Sequence, residues 1–580
     1  MAAPGWTVGL TTLVLLQSLA GVSQLYLTKR LLDSVVTGLQ SKSPGVFDAI
    51  VFWIALGAAS AWLVAILRSL VQYASEAQAE KVSESVQDMI AAKSIQVDLS
   101  YYEDPAYFDT LHQAQLEAPF RPTRIIGALT DIGQAVISLL AMGSILLFSF
   151  SPLVFLVLIG LLCVGSLSRF RHVRSLYEWR KQTSGEEREL SYFNWLLSSA
   201  AAAKEIRVFG LGEAFMRRAA TLRSDLRTAK MTISKKRVGG EVVLQGLVSL
   251  GMFLAVFHLA RRTFLSILSV GDFIMNLQAL QRSATFLQQL TGGVSQLYEH
   301  GLFLGRLFEF LSLRNKLSEP ELPADLPDEI ADGIEFRDVC FQYPTAAEPT
   351  LHAVSFRIRP GQMVAVVGEN GAGKSTLAKL LCRLYEPSSG SILIDGTDLR
   401  NFSRGQLWQR MAALFQDFVQ YQATVRDNIS FDAVHAGIAE ETIQCAATRG
   451  GAQELIMQLP RQYDQVLGKL FEGGTELSGG EWQKIALSRA FFRNAQIILL
   501  DEPTSALDVT AEHDFFERFR RLAKGRMSLV ISHRLSTVRM ADVIIYLEDG
   551  RITEMGSHRE LMDLGGAYAA LFTKQAGQYR

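Results

Sequence analysis

The chain has 580 residues and a net charge of −1, with 49% hydrophobic and 20% charged residues and a mean hydropathy of +0.17. That length is too great for one hydrophobic core, so we expect at least two domains. The balanced charge argues against a polyanionic partner such as nucleic acid. The four cysteines form no CxxC pair, so we expect buried small side chains in a reducing compartment rather than a zinc or disulfide framework.

Six segments of the first half are apolar enough to cross a membrane, which takes roughly 20 mostly apolar residues. They are residues 7–27, 49–70, 125–150, 153–170, 242–260 and 264–290. The first segment is interpreted as a span and not as a signal peptide, because it lacks a basic N-terminal region and further spans follow it. This half is therefore predicted to be an all-α, six-helix transmembrane domain, residues 1–313.

Two long polar stretches separate these spans, residues 72–124 and 171–240, and predict helices that run well past the bilayer on one side. Basic residues flank the second stretch, which indicates the cytoplasmic side by the positive-inside rule. They are Arg169, Arg171, Arg174, Lys235, Lys236 and Arg237. Lys29–Arg30 and Arg261–Arg262 fall on the opposite side and weaken the argument.

The sixth segment carries a polar stripe. At about 100° per residue its members fall on one face of a helix. They are Gln278, Gln281, Thr285, Gln288 and Gln289. Because polar side chains are expensive against lipid, the stripe is predicted either to line a translocation pathway or to lie where the helix already projects into the cytoplasm.

The apolar pattern ends after Leu313. Pro320, Pro323 and Pro327 lie among acidic residues and predict an extended linker, residues 314–332. From about Gly333 short β-branched runs alternate with helical patterns. This alternation predicts an α/β domain, residues 333–580.

The first chemical motif of that domain is a glycine-rich loop between an apolar strand and a helical pattern, the context that a phosphate loop requires. Its residues are Gly368, Glu369, Asn370, Gly371, Ala372, Gly373, Lys374, Ser375 and Thr376. The glycines let backbone N–H groups surround phosphate oxygens at a helix N-terminus. Lys374 is expected to reach the β- and γ-phosphates of ATP, and Ser375 to ligate Mg²⁺.

The second motif is the apolar strand before Asp501 and Glu502. Asp501 is predicted to hold the Mg²⁺ side of the site. Glu502 is predicted to act as a general base on the attacking water. A strand that ends in carboxylates is a weak motif alone, but a strong one after a phosphate loop.

The third motif is Leu477-Ser-Gly-Gly-Glu481. With all three in place, the chain resembles the ATP-binding cassette (ABC) transporter family, whose signature sequence has this form. The resemblance implies that Ser478, Gly479 and Gly480 bind the ATP held by the other protomer, where a hydroxyl and N–H groups at a helix start form an anion site. The usual last residue is glutamine, so Glu481 places a carboxylate near a phosphate. Because the serine and glycines are intact, the site is interpreted as active.

Four further positions match the family one by one. The resemblance implies that Tyr343 stacks on adenine, that Gln416 senses Mg²⁺ and the water, and that His533 bonds the γ-phosphate. It also implies that Asp508, in a Ser-Ala-Leu-Asp sequence, lies in a loop that crosses the dimer interface.

The resemblance extends to the membrane half less specifically. Residues 101–105 and 203–210 lie where exporters of the family have coupling helices, and Glu472 lies where a loop touches them. The segment LSGGEWQKIAL, residues 477–487, is similar to that of bacterial peptide exporters such as lantibiotic transporters. The expected fold is a six-helix membrane domain followed by a P-loop ATPase domain with an α-helical subdomain.

The expected function is ATP hydrolysis coupled to the movement of a peptide or amphipathic small molecule across the cell membrane by alternating access. One phosphate loop and one signature cannot make a complete site, so a homodimer is expected, with a heterodimer left open. The ATPase domain is expected in the cytoplasm. A lipid flippase, an importer on the exporter fold and an ATP-gated channel or regulator stay open. The polar stripe argues mildly against the flippase, and intact Glu502 and His533 favour turnover over gating.

Overall fold

The computed structural model describes residues 4–41, 44–104, 107, 111, 114–115, 118–149, 160, 175, 178–179, 182–317, 319–431, 438–504 and 509–577. These form two compact units. The first comprises Met1–Gln96 and Phe108–Leu313, and the second comprises Val97–Tyr107 and Arg314–Arg580. The predicted combination of a helical N-terminal part with a C-terminal α/β domain is confirmed.

The first unit is built from helices. They are α1 (Pro4–Ser41), α2 (Pro44–Gln96), α4 (Arg121–Ser149), α5 (Ser184–Ser198), α6 (Ala203–Val208), α7 (Gly212–Phe264) and α8 (Val270–Leu311), while α3 (Leu99–Tyr102) belongs to the second unit. One buried apolar cluster joins residues from α1, α4, α7 and α8, among them Leu25, Met142, Leu259 and Ala279. Many other large apolar side chains of these helices are exposed, as expected for surfaces that face lipid.

Four helices in the described part of the chain are long and apolar enough to cross a membrane. They are Gly5–Gln40, Gly45–Gln96, Arg121–Leu147 and Gly212–Phe264. They contain the predicted spans one, two and five and most of span three. The predicted fourth span lies outside the described residues apart from Gly160. The helix α8 contains most of the predicted sixth span and is long enough, but its glutamines keep it below the same level of apolarity.

The predicted start of the sixth span, at residue 264, is wrong. The helix α7 ends at Phe264 and α8 begins only at Val270, after a short turn. Ser269 and Asp272 form a capping box, in which the serine hydroxyl accepts from the Asp272 N–H and the aspartate accepts from the Ser269 N–H. That reciprocal pair fixes the helix start.

The second unit contains two sheets. Its strands are β1 (Ile334–Phe341), β2 (Leu351–Ile358), β3 (Met363–Gly368), β4 (Ser389–Ile394), β5 (Thr397–Asp398), β6 (Met411–Leu414), β7 (Ile497–Asp501), β8 (Met527–Ile531), β9 (Val543–Glu548) and β10 (Arg551–Gly556). One sheet has the order β2-β1-β4-β5, and the other has the order β10-β9-β3-β8-β7-β6. In the larger sheet β6, β7, β8, β3 and β9 run parallel. Every residue of β3, β7 and β8 is buried, as expected for a parallel sheet covered on both faces.

Helices cover this sheet and form a separate subdomain. They are α9 (Lys374–Leu381), α10 (Arg404–Gln409), α11 (Val425–Ile429), α12 (Glu440–Gly450), α13 (Gln453–Gln458), α14 (Gly479–Phe492), α15 (Val509–Ala523), α16 (Leu535–Val538), α17 (His558–Leu564) and α18 (Ala567–Gly577), with 3-10 turns at Leu399–Asn401 and Gln462–Asp464. A separate apolar core joins α11, α12, α13 and the start of α14, and includes Ile443, Ile456 and Trp482. These helices, which share a core of their own, form the predicted α-helical subdomain.

Two expectations about smaller features have different outcomes. Cys382 is buried as expected, but Cys445 is exposed on α12 and Cys340 is half-buried, so burial of all the cysteines is wrong. The described residues of the predicted linker, 314–332, form no helix, and Ala324 forms a β-bridge with Phe402 within the second unit.

Candidate nucleotide site

The carboxyl ends of four neighbouring parallel strands bring most of the predicted site residues together. Strand β3 ends at Gly368 and leads into the phosphate loop, and β7 ends at Asp501. Gln416 follows β6 by two residues, and His533 follows β8 by two residues. Because β3, β8, β7 and β6 are adjacent in this order, these residues share one edge of the sheet. Ligands of open α/β sheets bind at that edge.

The phosphate loop needs glycine at both of its ends. Gly368 has a φ of +152°, and a Cβ there would lie 2.0 Å from the backbone oxygen of Leu547 on the neighbouring strand β9. Gly373 has a φ of +99°, and a Cβ there would lie 2.7 Å from the Leu351 side chain. Neither position can therefore accept a side chain without moving its neighbours.

Lys374 begins α9 and folds back beneath the loop. Its Nζ donates to the carbonyl oxygens of Gly368 at 2.9 Å and of Glu369 at 2.7 Å. Burial lowers the pKa of its ammonium group, while Glu502 and Asp501 oppose that change. The lysine thus lies close to both carboxylates, and its charge is directed into the loop.

Asp501 has an oxygen without a partner. The residue is only 4% exposed, and its Oδ1 is buried with no hydrogen-bond partner in the described part of the chain. Burial raises the pKa of this carboxyl group, the Glu502 charge adds to the rise, and a hydrogen bond from Ser375 opposes it. A buried acceptor without a donor beside a serine hydroxyl is the arrangement that a hard cation would satisfy.

Glu502 joins two of the other predicted residues. Its Oε2 accepts from Gln416 Nε2 at 3.0 Å, and its Oε1 lies 3.2 Å from His533 Nε2. The residue has a φ of +50°, uncommon for a side chain other than glycine, and its N–H donates to the Ile531 carbonyl at 2.9 Å. A left-handed residue held by the next strand is the kind of local strain that clusters at functional sites.

His533 is kept in its neutral form. Burial lowers the pKa of its imidazole, the nearby Lys374 charge lowers it further, and Glu502 opposes both. A neutral imidazole has one N–H, and Nε2 must carry it in order to donate to the Glu502 carboxylate. The pair therefore keeps that carboxylate oriented at the edge of the sheet.

Tyr343 lies beside the phosphate-loop helix with its ring half-buried. Its hydroxyl is 3.0 Å from the Thr376 hydroxyl, and its ring meets the rings of Phe341 and Tyr385 edge-on. The ammonium group of Lys379 lies 5.2 Å from the ring centroid. The neighbouring side chains therefore hold the Tyr343 ring in place, and the ammonium group of Lys379 lies over one of its faces.

The signature residues make a separate group at the start of α14. Ser478 is the N-cap of this helix, and Glu481 completes a capping box with it. The Glu481 carboxylate accepts from the Ser478 N–H at 2.7 Å and from its hydroxyl at 2.8 Å. Within the described residues the serine side chain bonds to Glu481 alone. Since either glutamate or glutamine can complete a capping box, Glu481 keeps the local structure and changes only the charge.

The structure thus unites the phosphate loop with Asp501, Glu502, Gln416 and His533. Ser478, Gly479 and Gly480 form their own group, without a hydrogen bond to the phosphate loop among the described residues, and Asp508 lies outside those residues.

Sequence reasoning missed Gln483. Its side chain is buried, and its Nε2 is 3.4 Å from the Glu502 carbonyl, so the signature helix reaches the strand that carries the carboxylates. Its position five residues after Ser478 was the available signal.

The segment Val97–Tyr107 contains the residues 101–105 that were predicted as a coupling helix, and it packs with the second unit, here called the ATPase unit. Its individual contacts were not predicted. Glu103 accepts from Lys379 Nζ at 2.8 Å and from the Tyr385 hydroxyl. Burial would raise the pKa of Glu103, but these hydrogen bonds outweigh it and lower the pKa. Asp98 is buried and accepts from Arg404 at 3.2 Å. The segment is therefore attached to the same helix that begins with Lys374.

A family model described as ABC transporter matches residues 351–505. The subtilin transport ATP-binding protein of Bacillus subtilis is 30% identical over 476 residues, which cover 82% of this chain and 76% of that protein. The ATP-dependent lipid A-core flippase of Aromatoleum aromaticum is 38% identical over 307 residues, 53% of this chain and 50% of the flippase. The solved structure of a bacterial Atm1-family ABC exporter with ATP bound superposes with a TM-score of 0.80 at 25% identity, and the match covers 98% of both chains.

Proposed function

The chain belongs to the ABC transporter family, as an exporter-type membrane protein that couples ATP hydrolysis to transport, and on that premise we propose that it exports a peptide across the cell membrane as a dimer. The observation that carries the catalytic part is the convergence of Glu502, Gln416 and His533 beside Asp501 and Lys374 at one sheet edge.

In this proposal each group has one task. Lys374 and the loop N–H groups bind the β- and γ-phosphates of ATP. Glu502 accepts a proton from the attacking water, while Gln416 and His533 hold its carboxylate in place. The left-handed backbone at Glu502 supports this role, because it places the carboxylate at the end of β7, beside Gln416 and His533.

The residues present fit Mg²⁺. The unpartnered Asp501 oxygen, the Ser375 hydroxyl beside it and the Gln416 amide oxygen supply the oxygen ligands that this cation prefers. When bound, Mg²⁺ would neutralise charge on the phosphate oxygens. Binding requires Asp501 in its charged form, and the cation would stabilise that form against the rise in pKa that burial causes.

The separation of Ser478, Gly479 and Gly480 from the phosphate loop supports sites shared between two chains. In a dimer, the start of α14 from one protomer would face the phosphate loop of the other, and Asp508 would lie near the interface. Either two copies of this chain or this chain with a second half-transporter could supply both halves. The ATPase domain would lie in the cytoplasm, where ATP is available.

Similarity over most of the chain to a protein named for subtilin transport supports a peptide substrate. The lipid A-core flippase matches about half of the chain, which gives the flippase alternative less support. The exposed polar side chains of Gln281, Thr285 and Gln288 on α8 also favour an aqueous pathway over a lipid-facing one.

The test is Glu502→Gln in the purified full chain, reconstituted in lipid nanodiscs. Removing a general base typically slows a reaction by 10²–10⁴-fold, so we expect phosphate release to fall by at least about 100-fold while ATP still binds. Glu441→Gln is the matched control, because Glu441 is exposed on α12. Phosphate release within about tenfold of wild type in Glu502→Gln would contradict the assignment.

A further inference from the structure

Arg282 lies deep in the apolar layer of the membrane unit. The pair Lys29–Asp272, at 2.5 Å, marks the level at which the apolar run of α1 ends. Arg282 follows Asp272 by ten residues of α8, or about 15 Å along a helix. That is about half of the roughly 30 Å thickness of a bilayer core.

Among the residues that the structure describes, the guanidinium of Arg282 is bonded only to neutral acceptors. It donates to the Gly21 carbonyl at 3.0 Å and to Gln24 Oε1 at 3.1 Å, both on α1. Within the described part of the chain no carboxylate lies at ion-pair distance from it. Asp131 accepts from Gln289, which is seven residues, or about 10 Å, further along α8. Among the described residues, the charge of Arg282 therefore has no counter-ion.

The surroundings of this guanidinium are polar on both helices. On α1, Gln17, Gly21 and Gln24 fall on one face at about 100° per residue. Gln17 is 8% exposed, and its Oε1 is buried without a hydrogen-bond partner among the described residues. An unpartnered amide oxygen on the face that Arg282 contacts is an acceptor that a donor from a bound molecule, such as a peptide N–H, would satisfy.

The predicted polar stripe of α8 extends to the same place. Relative to Gln281, helix geometry puts Gln278 and Gln289 at about 60° and 80°, and Arg282 at about 100°. The arginine is thus the charged edge of the stripe whose other members include the exposed Gln281 and Thr285. The stripe provides neutral polar side chains, and Arg282 provides the positive charge.

The two hydrogen bonds that connect α8 to α1 do not explain why a charged residue lies at this depth. A neutral donor could make the same two bonds, whereas an uncompensated charge in a membrane span is expensive and marks a functional position. A guanidinium presents a planar fork of donors that matches a carboxylate in a bidentate pair. One positive charge balances one carboxylate, and amide groups on both helices can bind the peptide around it.

We propose that Arg282, with Gln24 and the α8 stripe, is the substrate-binding site for a carboxylate of the transported peptide. This rests on the proposed peptide export and names the chemical group that the pathway selects. The rival explanation is that a carboxylate of the partner protomer neutralises Arg282, in which case the charge has no part in selecting substrate.

The test measures charge selectivity in the full-length dimer in nanodiscs, without ATP. The probes are a dansyl-labelled leucine-rich octapeptide with a free C-terminal carboxylate and the same octapeptide as a C-terminal amide. Hydrogen bonds between charged groups are stronger than those between neutral groups, so wild type should bind the carboxylate form at least about tenfold more tightly. Arg282→Gln should remove that preference and leave the affinity for the amide form unchanged.

Two variants separate charge from structure. Arg282→Lys keeps the charge and should retain part of the preference, so it serves if Arg282→Gln does not fold. Arg261→Gln removes a cation that is exposed at the end of α7 and should behave as wild type. Binding is measured without ATP, so its outcome does not depend on hydrolysis at Glu502, and Arg261→Gln should also keep its basal ATP hydrolysis.

Three results would overturn the proposal. Wild type could bind both octapeptides equally, or Arg282→Gln could weaken both to the same extent, as expected from a structural tie. The third is that Arg282→Gln loses affinity for a dansyl-labelled lysophospholipid but not for the carboxylate peptide, which would assign the arginine to a lipid phosphate.

Discussion

At the scale of single residues, the left-handed backbone of Glu502 places one carboxylate within reach of both Gln416 and His533. The sequence predicted these three residues from their motifs, but not the contacts between them. The contacts depend on the order of β6, β7 and β8 in the sheet, which a single sequence does not contain. The roles of these residues stay predictions until hydrolysis is measured.

The neutral state of His533 gives a pH prediction. Because burial and Lys374 lower its pKa below 6.5, the unfolded chain binds this proton more readily than the folded chain. The contribution of His533 to stability is therefore full above pH 6.5 and falls as the pH drops through the folded pKa. We expect the hydrolysis rate at saturating ATP to stay level as the pH falls through 6.5 and to decline only below it.

The rate should be measured in steps from about pH 8 to about pH 5, around the ordinary histidine pKa. In His533→Gln the unfolding temperature should depend less on pH just below 6.5 than it does in wild type. A half-maximal rate at or above pH 6.5 would show that the imidazole is not kept neutral.

At the scale of elements, strand β3 and the loop after it need a bare backbone at Gly368. A Cβ there would meet the Leu547 carbonyl, and β9 cannot move away because it pairs with β3 along its length. The motif predicted the glycine as a requirement for phosphate binding. The structure adds a second requirement, close packing between two parallel strands, which the spacing of the motif alone does not indicate.

Gly368→Ala should therefore lower the thermal stability of the ATPase unit and abolish the stabilisation that ATP with Mg²⁺ provides. Gly396→Ala, between β4 and β5 and outside the phosphate loop, is the matched control, because its φ of +80° is also left-handed but no atom lies within 4 Å of the added Cβ. Left-handed strain alone costs about 1–2 kcal/mol, so the control should keep its ATP response. Unfolding of the full chain is followed with and without nucleotide, and equal effects of both variants would contradict the packing argument.

At the scale of the whole molecule, apolar segments were enough to predict a membrane half, and the three chemical motifs were enough to predict an ATPase half. Apolar runs could not give the start of α8, which a capping box fixes, and they could not show that the segment Val97–Tyr107 joins the ATPase unit. That attachment depends on ion pairs such as Glu103 with Lys379, between residues far apart in the chain.

Shared sites predict complementation between two inactive variants. Lys374→Ala and Ser478→Arg should each be inactive alone, because each lesion falls in both sites of its own dimer. In a heterodimer of the two, both lesions fall in one site and the other site is whole. The mixture should therefore hydrolyse ATP faster than either variant alone, if a single intact site can turn over.

Heterodimers must first be shown with two different affinity tags, and ATP with Mg²⁺ should increase cross-linking between the chains. A chain that carries both substitutions is the control, since its heterodimer with wild type leaves neither site whole. A rate equal to the average of the two single variants, with heterodimers present, would contradict sites shared between chains.

The attachment of Val97–Tyr107 to the ATPase unit also bears on how such proteins can be recombined. A chimera joined at Leu313 would separate Glu103 and Asp98 from Lys379 and Arg404, and would pair a foreign docking segment with the native surface. The exchangeable module is discontinuous, and it consists of the C-terminal domain together with eleven residues from the membrane half, Val97–Tyr107. Each chimera therefore needs three breakpoints, one on each side of that segment and one at the linker, at matching positions in donor and recipient.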